Sequence, residues 1–222
     1  MRDKTSPAVQ DYLKALFALE WDGADAGPVA TSALAERLGV SPASATNMLK
    51  RLDAMALVVH VPYRGAELTE SGRKIALEVL RHHRLLETYL AEALGVPWDR
   101  VHAEAEVLEH VLSEELEERI AARLGHPTCD PHGHPIPTSD LEMPDPSGRP
   151  LWHAADGDHV TVERVPDDDG DALRYLGATG IRPGTRLDVV DRGPMGGPLF
   201  VHVAGGDDVA LSRELAEVVW VR

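Results

Sequence analysis

Thr31-Ser32-Ala33-Leu34-Ala35-Glu36-Arg37-Leu38-Gly39-Val40-Ser41-Pro42-Ala43-Ser44-Ala45-Thr46-Asn47-Met48-Leu49-Lys50-Arg51-Leu52-Asp53-Ala54 reads as two helices joined by a tight turn. Thr31 or Ser32 is placed to cap the first helix and Gly39 to stop it. Ser41-Pro42 opens the second: serine is a natural N-cap, and proline at the first helical position sacrifices no bond, because that N–H has no intrahelical partner. Helix, glycine turn and helix form a helix-turn-helix pattern. Residues 57–61 and 66–69 flank a turn at Tyr63-Arg64-Gly65 and predict a β-hairpin, which in this context is a wing.

Working outward, Tyr12, Leu13, Leu16, Phe17 and Leu19 recur at helical spacing in a helix that fades at Gly23. On the other side, Thr69-Glu70-Ser71-Gly72 starts a long helix that runs to Leu94 and breaks at Gly95-Val96-Pro97. Residues 98–110 and 114–124 predict two more helices, the second capped by Ser113. Residues 126–150 hold 7 prolines in 25 positions, which predicts a tethering segment at a domain boundary. Beyond it, short β-rich runs at 160–165, 186–190, 199–203, 209–211 and 217–221 predict a small barrel.

The 222 residues are 43% hydrophobic, so a core can form, yet no apolar run approaches the roughly 20 residues a membrane helix needs. Nothing near Met1 resembles a secretory signal, and Cys129, the single cysteine, can form no intrachain disulfide; both point to a reducing, cytoplasmic setting. The formal net charge of -15 weighs against nucleic acid only as an average. Residues 1–75 are balanced, with 9 basic and 9 acidic side chains, and within 41–65 there are 3 basic residues (Lys50, Arg51, Arg64) to 1 acidic (Asp53).

The chemistry-bearing residues cluster behind the wing. On a helix His102, Glu106, Glu109 and His110 fall within roughly 100° of one another, and His83 and Glu87, four apart, share a face of the preceding helix. Two helices each offering His and Glu make a divalent-metal site, against the plainer alternative of a solvated polar strip. Glu106, Glu109 and His110 alternate with Val107, Leu108 and Val111 and so approach the interior, where a carboxylate needs a partner. The zinc-protease pattern fails because Glu106 stands where its first histidine belongs, and no pair of Glu-x-x-His motifs, one on each of two helices, appears for a di-iron bundle. Cys129-Asp130-Pro131-His132-Gly133-His134 falls short of the four ligands of a structural zinc site, and the acidic run 167–171 lacks an EF-hand frame. No nucleophile elbow or phosphate loop is present.

In this order, a winged helix-turn-helix, a two-helix His/Glu set and a proline linker to a small barrel resemble the diphtheria-toxin-repressor family of metal-dependent transcription regulators. The resemblance rests on Asp11-Tyr12-Leu13-Lys14, residues 52–59 leading into Leu68-Thr69-Glu70-Ser71-Gly72-Arg73, His83-Arg84-Leu85-Leu86-Glu87, residues 102–110, and Asp130-Pro131-His132-Gly133-His134-Pro135-Ile136-Pro137. It implies a mainly α chain with a small β domain: a DNA-binding domain at 1–72, a helical metal-binding and dimerisation domain at 73–126, a linker at 127–150 and an SH3-like domain at 151–222. It further implies a primary metal site of Asp11, Glu106, Glu109 and His110, and an ancillary site of His83, Glu87 and His102 to which the barrel adds Asp169 or Asp171.

Iron-responsive members of that family carry soft Met and Cys where this chain has Asp11 and Glu106, and hard oxygen ligands suit Mn²⁺. Manganese is therefore the expected ion, with Fe²⁺, Co²⁺ and Zn²⁺ able to occupy the same donors in vitro. The expected partners are a double-stranded, palindromic operator and a second copy of the chain, with no membrane and no organic cofactor. Ser41, Ser44, Thr46 and Asn47 are expected at base edges and Lys50, Arg51 and Arg64 at phosphates. An iron-dependent regulator of the same family and a di-metal carboxylate enzyme are the alternatives.

Overall fold

The computed structural model describes residues 5–22, 27–61, 64–144 and 148–222. They form two compact units, residues 1–82 with 137–143, and residues 83–136 with 144–222. Among the described residues no helix is long and apolar enough to cross a membrane.

The first unit contains α1 (Pro7–Asp22), α2 (Thr31–Arg37), α3 (Pro42–Ala54), the hairpin β1 (Val58–Val61) and β2 (Gly65–Leu68), and the start of α4 (Glu70–Leu94). Ser41 caps α3, its hydroxyl accepting from the Ser44 amide at 3.1 Å. Neither Thr31 nor Ser32 caps α2: both lie inside the helix, and Ala30 occupies the cap position without a side-chain bond. Leu34, Ala45, Leu49 and Leu52 are fully buried with Leu13, Leu16 and Phe17, so the apolar stripes of all three helices meet in one core. Gly23 and Tyr63 lie outside the described residues.

The wing is fastened at two points. Val29 makes an isolated antiparallel bridge to β2, exchanging bonds with Ala66 at 2.8 and 3.0 Å. Gly65 next to it has φ +117°, and a Cβ there would stand 1.9 Å from the Val29 carbonyl oxygen, so no side chain fits. From α1, one oxygen of Glu20 accepts from the Leu68 amide at 3.0 Å and the other from the Arg73 guanidinium at 2.5 Å. That carboxylate ties α1 to both the wing and α4. Leu141 and Met143, from the returning segment 137–143, pack on the same core.

The second unit holds the rest of α4, α5 (Val101–Leu108), α6 (Glu114–Arg123), and a six-stranded antiparallel sheet with two short helices. The strands β3 (Arg149–Pro150), β4 (His159–Arg164), β5 (Arg186–Arg192), β6 (Leu199–Val203), β7 (Asp208–Leu211) and β8 (Trp220–Val221) run in the order β3-β8-β4-β5-β6-β7. Among the described residues no pairing between β3 and β7 closes the sheet. The helices α7 (Gly170–Ala178) and α8 (Arg213–Val218) were not expected from the strand-rich pattern. Asp169 caps α7, and Leu173 and Leu176 bury its inner face. Because α8 takes residues 213–218, the strand expected over 217–221 shrinks to two residues. Similarly, α5 starts at Val101 rather than Trp98 and ends at Leu108.

The proline-rich stretch is not a loose tether throughout. Cys129 bridges to Pro135, the Ile136 amide bonds the Thr128 carbonyl at 2.8 Å, and Ile136 is buried with Leu85, Ala105 and Ile120. Gly133, with φ +90°, makes the turn possible: a Cβ would lie 1.9 Å from the Glu163 carbonyl oxygen of β4. Next to it, the Val165 amide bonds the His132 carbonyl at 2.9 Å, seating this turn against the sheet domain. Leu85, Leu86, Leu90 and Val101 are buried within the chain itself, so they serve its core.

Replacing Glu20 by alanine removes the acceptor for a part-buried amide and a guanidinium at once. The first unit is expected to lose about 1–3 kcal/mol, read as a lower urea midpoint for the helical signal of the metal-free protein. An unchanged midpoint would show that the anchor carries no stability.

Candidate metal centre and DNA-reading helix

Helix α3 presents Asn47, Lys50 and Arg51 to solvent on one face while Ala45, Leu49 and Leu52 are buried on the other. Ser41 and Ser44 are exposed, but their hydroxyls bond each other at 2.9 Å, and the Thr46 hydroxyl donates to the Pro42 carbonyl at 2.8 Å. Arg64 is exposed in the hairpin turn. The acidic residue of this stretch, Asp53, is turned toward the wing, where it accepts from the His60 amide at 3.1 Å. The outward charge of α3 is thus positive.

Behind the wing, α4 and α5 bring His83, Glu87, His102, Glu106 and Glu109 together inside the second unit. Glu87 and Glu109 are fully buried and His83 nearly so. His83 Nδ1 stands 2.5 Å from a Glu109 oxygen; the carboxylate accepts, so the proton sits on Nδ1 and the lone pair of Nε2 points the other way. There His83 Nε2, His102 Nδ1 and Glu87 Oε1 form a triangle with all three edges 3.1 Å. Three cis ligands about 2.1 Å from an octahedral ion are spaced about 3.0 Å apart. The triangle therefore has the dimensions of one face of a coordination shell. Glu106 flanks it, 3.7 Å from His102 and 3.8 Å from His83.

The other oxygen of Glu87 faces a second group, one that the sequence pattern did not single out. His132 Nδ1 lies 3.8 Å from Glu87 Oε2, and Asp130 joins them. Asp130 accepts from the His132 and His134 amides at 2.8 and 3.0 Å. Its second oxygen lies 3.6 Å from His134 Nδ1, which is also 3.6 Å from Asp167. Glu87 Oε2, Asp130 Oδ2, His132 Nδ1 and His134 Nδ1 are shielded from solvent without hydrogen bonds, although each faces another of them. Spacings of 3.6–3.8 Å are too long for hydrogen bonds. The Arg84 guanidinium stands 3.7 Å from the same Asp130 oxygen, and the donors fall into two groups that share Asp130, Glu87 with His132 and His134 with Asp167, each offering a cation three ligand atoms. The donor set thus fits a divalent ion.

The weak local signal for this group was the Asp130 to His134 run, which lacked enough ligands by itself. Glu87 and Asp167, distant in sequence, complete it. The barrel residues expected here, Asp169 and Asp171, are engaged elsewhere: Asp169 accepts from the Asp171 and Ala172 amides, and exposed Asp171 pairs with Arg174. Asp167 is the acid that reaches the histidines. Cys129 is exposed and belongs to none of the clusters. Glu109 and His110 lie just beyond the last turn of α5, with His110 Nε2 3.7 Å from Glu109 Oε1. Asp11 sits half-buried on α1 in the first unit. Glu109 is buried, as the expectation that these carboxylates approach the interior requires, while the interleaved Val107 and Val111 are 71% and 78% exposed.

The buried charges shift one another's titration. Burial opposes it, but His83, His102 and His132 hold the Glu87 carboxyl well below the usual range. Against the same opposition, the Glu87 and Asp130 carboxylates push the His132 imidazole up to about 9. Burial likewise opposes ionisation of the His134–Asp167 pair, yet each stabilises the other's charged form.

A winged helix-turn-helix joined to buried imidazoles and carboxylates defines a metal-dependent DNA-binding regulator. Three family models match in sequence: the iron-dependent repressor N-terminal DNA-binding domain over 4–66, the iron-dependent repressor metal-binding and dimerisation domain over 69–138, and the FeoA domain over 149–222. The chain is 34% identical over 229 residues to the iron-dependent repressor IdeR of Mycobacterium leprae, covering 95% of this chain and 94% of that one. Among solved structures, a manganese-dependent transcriptional repressor in complex with manganese aligns at 44% identity and TM-score 0.87, covering 96% of this chain and 99% of that one. The zinc-bound repressor ScaR aligns at 29% identity and TM-score 0.81 over 96% and 98% of the two chains. The chain belongs to the diphtheria-toxin-repressor and IdeR family. Its members are transcriptional repressors and not enzymes, which removes the di-metal carboxylate enzyme alternative; they bind operator DNA as homodimers.

In the metal-free protein at neutral pH the His132 imidazole, pushed up to about 9, carries its extra proton. An ion ligated by Nδ1 must displace it. Metal affinity is therefore expected to rise about tenfold per pH unit between pH 6 and 8 for each proton released, and to level off above the His132 pKa. Calorimetry in buffers of different ionisation enthalpy measures the release; no released proton at pH 7 would exclude His132 as a ligand.

Proposed function

We propose that this chain is a cytoplasmic, manganese-dependent repressor in which an ion joins the DNA-binding half to the helices behind it. The observation that supports manganese is the donor set: among the described residues the grouped candidate ligands are imidazole nitrogens and carboxylate oxygens, with no Cys sulfur, and Asp11 and Glu106 are hard oxygen donors. The manganese complex at 44% identity agrees. Iron is the second reading, because the relatives at 34% and 33% identity are named iron-dependent.

In this reading Asp11 joins Glu106, Glu109 and His110 as the primary site, and Glu87 with His83, His102, His132, Asp130 and Asp167 forms the rear site. Without a cation, Asp11, Glu106 and Glu109 repel one another, which disfavours the approach of α1 to α5. A bound cation reverses that sign, and the position of α3 becomes fixed relative to the dimer axis. Two copies then hold two α3 helices at the half-site spacing of a palindrome, about one helical turn or a multiple of it. The exposed Val107, Leu108, Val111 and Leu116 form the apolar face that the second copy covers.

In the major groove Asn47 is assigned to a base edge, and Lys50, Arg51 and Arg64 to phosphates. Asn47→Ala is expected to cost about 1–3 kcal/mol and relax preference at one base position, whereas Lys50→Ala should weaken all sequences alike and reduce the salt slope by about 1. Binding titrations on operator and scrambled duplexes at several salt concentrations distinguish the two; identical behaviour of both variants would reject the assignment.

Footprinting with and without Mn²⁺ tests the function itself. Protection of a palindrome only in the loaded form is the expected result, and no protection of any DNA by the loaded protein would overturn it. The ligand-hardness argument is tested by the Asp11→Met, Glu106→Cys double variant, whose operator binding should shift its response from Mn²⁺ toward Fe²⁺. An unchanged metal order would favour the iron reading.

A further inference from the structure

The turn between α4 and α5 carries Trp98, outside every ligand set described above. Its carbonyl oxygen lies 2.8 Å from His132 Nε2 and so accepts that nitrogen's proton. The Trp98 indole stacks on the His132 ring, with centroids 5.8 Å apart and planes 26° apart. On the indole, the Arg182 guanidinium sits 4.1 Å from the ring centroid. Backbone and ring of one residue therefore hold the same imidazole in tautomer and in plane.

Trp98 is held in turn by the sheet domain. It packs against that domain's core, and a Cβ on Gly177 of α7 would come within 3.2 Å of its Nε1 and Cζ2. The adjacent Asp99 pairs with Arg174 of α7 at 3.2 Å. Arg182 follows α7 directly. The segment that orients His132 is thus built half from the α4–α5 turn and half from the FeoA-type domain.

We propose that Trp98 and Arg182 are positioning residues for the rear metal site, through which the FeoA-type domain sets the affinity of the ion held by Glu87 and His132. The inference rests on the reading of that cluster as an ion site. With Nε2–H fixed on the Trp98 carbonyl, His132 keeps Nδ1 on the side of Glu87 Oε2, so no rotamer search is left once that nitrogen gives up its proton to an ion. The cation–π contact of Arg182 keeps the indole plane against the imidazole. Loosening the stack leaves both ligands in place but lets the imidazole turn. Partners of this kind typically change metal affinity by about 10–100-fold.

The test counts bound Mn²⁺ by the electron paramagnetic resonance of the free ion, in full-length wild type and in Trp98→Leu, Trp98→Phe, Arg182→Ala and His132→Ala. Wild type should show at least two classes of site. His132→Ala should remove the rear class, Trp98→Leu and Arg182→Ala should weaken that class about tenfold or more, and Trp98→Phe, which keeps a stacking ring and the carbonyl, should restore most of the affinity. A second readout is nitrogen NMR of the Zn²⁺-loaded protein, in which His132 should be protonated at Nε2 in wild type and lose that signature or broaden in Trp98→Leu.

If His132→Ala leaves every class of site unchanged, the cluster is not an ion site and the underlying reading fails. If His132→Ala removes a class but Trp98→Leu and Arg182→Ala do not touch it, the cluster stands and the positioning role is overturned. That role is equally overturned if these variants weaken all classes alike together with the unfolding midpoint of the metal-free protein, or if Trp98→Leu does not fold and Arg182→Ala binds as wild type.

Discussion

A carboxylate with no exposed surface, Glu87 in the middle of α4, is the constraint from which the metal centre follows. Burying an isolated ionised carboxylate is prohibitive, so its surroundings must supply positive charge. They do so on both sides. One oxygen faces His83 and His102 at 3.1 Å, and the other faces His132 at 3.8 Å. In the metal-free chain the His132 imidazole, pushed up to about 9, answers part of the need, and Glu87 is held well below the usual carboxylate range. A divalent ion meets it better, since it can satisfy several lone pairs at one point and releases the imidazoles from carrying protons.

This arrangement explains why a chain of net charge -15 can read DNA. Much of the acid lies behind residue 75, and part of it is concentrated at sites where the charge calls for a cation. Helix α3 is a local exception, with Lys50 and Arg51 outward and Asp53 occupied by the wing. Local positive charge on one helix is what phosphate attraction needs, so a DNA-binding chain does not need an overall positive charge. The specificity of the helix is a separate matter from its attraction, because Ser41, Ser44 and Thr46 spend their hydroxyls partly on the backbone and one another.

The proline-rich segment changes role once seen folded. Proline removes amide donors and resists regular ladders, yet between 128 and 136 the chain forms a tight turn whose remaining amides are largely used: Asp130 accepts from two of them and β4 receives the turn through Val165. Rigidity rather than reach is the result. A rigid turn can hold His132 and His134 at fixed distances from α4, which a flexible linker could not do.

The helix-turn-helix, the wing and the long α4 were legible in sequence because each rests on local rules: the Ser41-Pro42 start, the stop at Gly39, the apolar period of 3.6 and the alternation in the wing. His83 and Glu87 were legible for the same reason, since residues four apart share a face of a helix, and His102 was joined to them by the family resemblance. Asp130, His132, His134 and Asp167 were not, because their meaning depends on which distant carboxylate they face, and 45 residues separate Glu87 from His132. Nor could local pattern tell that Asp169 caps α7 while Asp167 reaches His134, or that Val107 and Val111 point outward. Chain-local periodicity determined which elements form; long-range packing decided which charges are buried together, because a charge removed from water depends on the neighbours that packing brings to it.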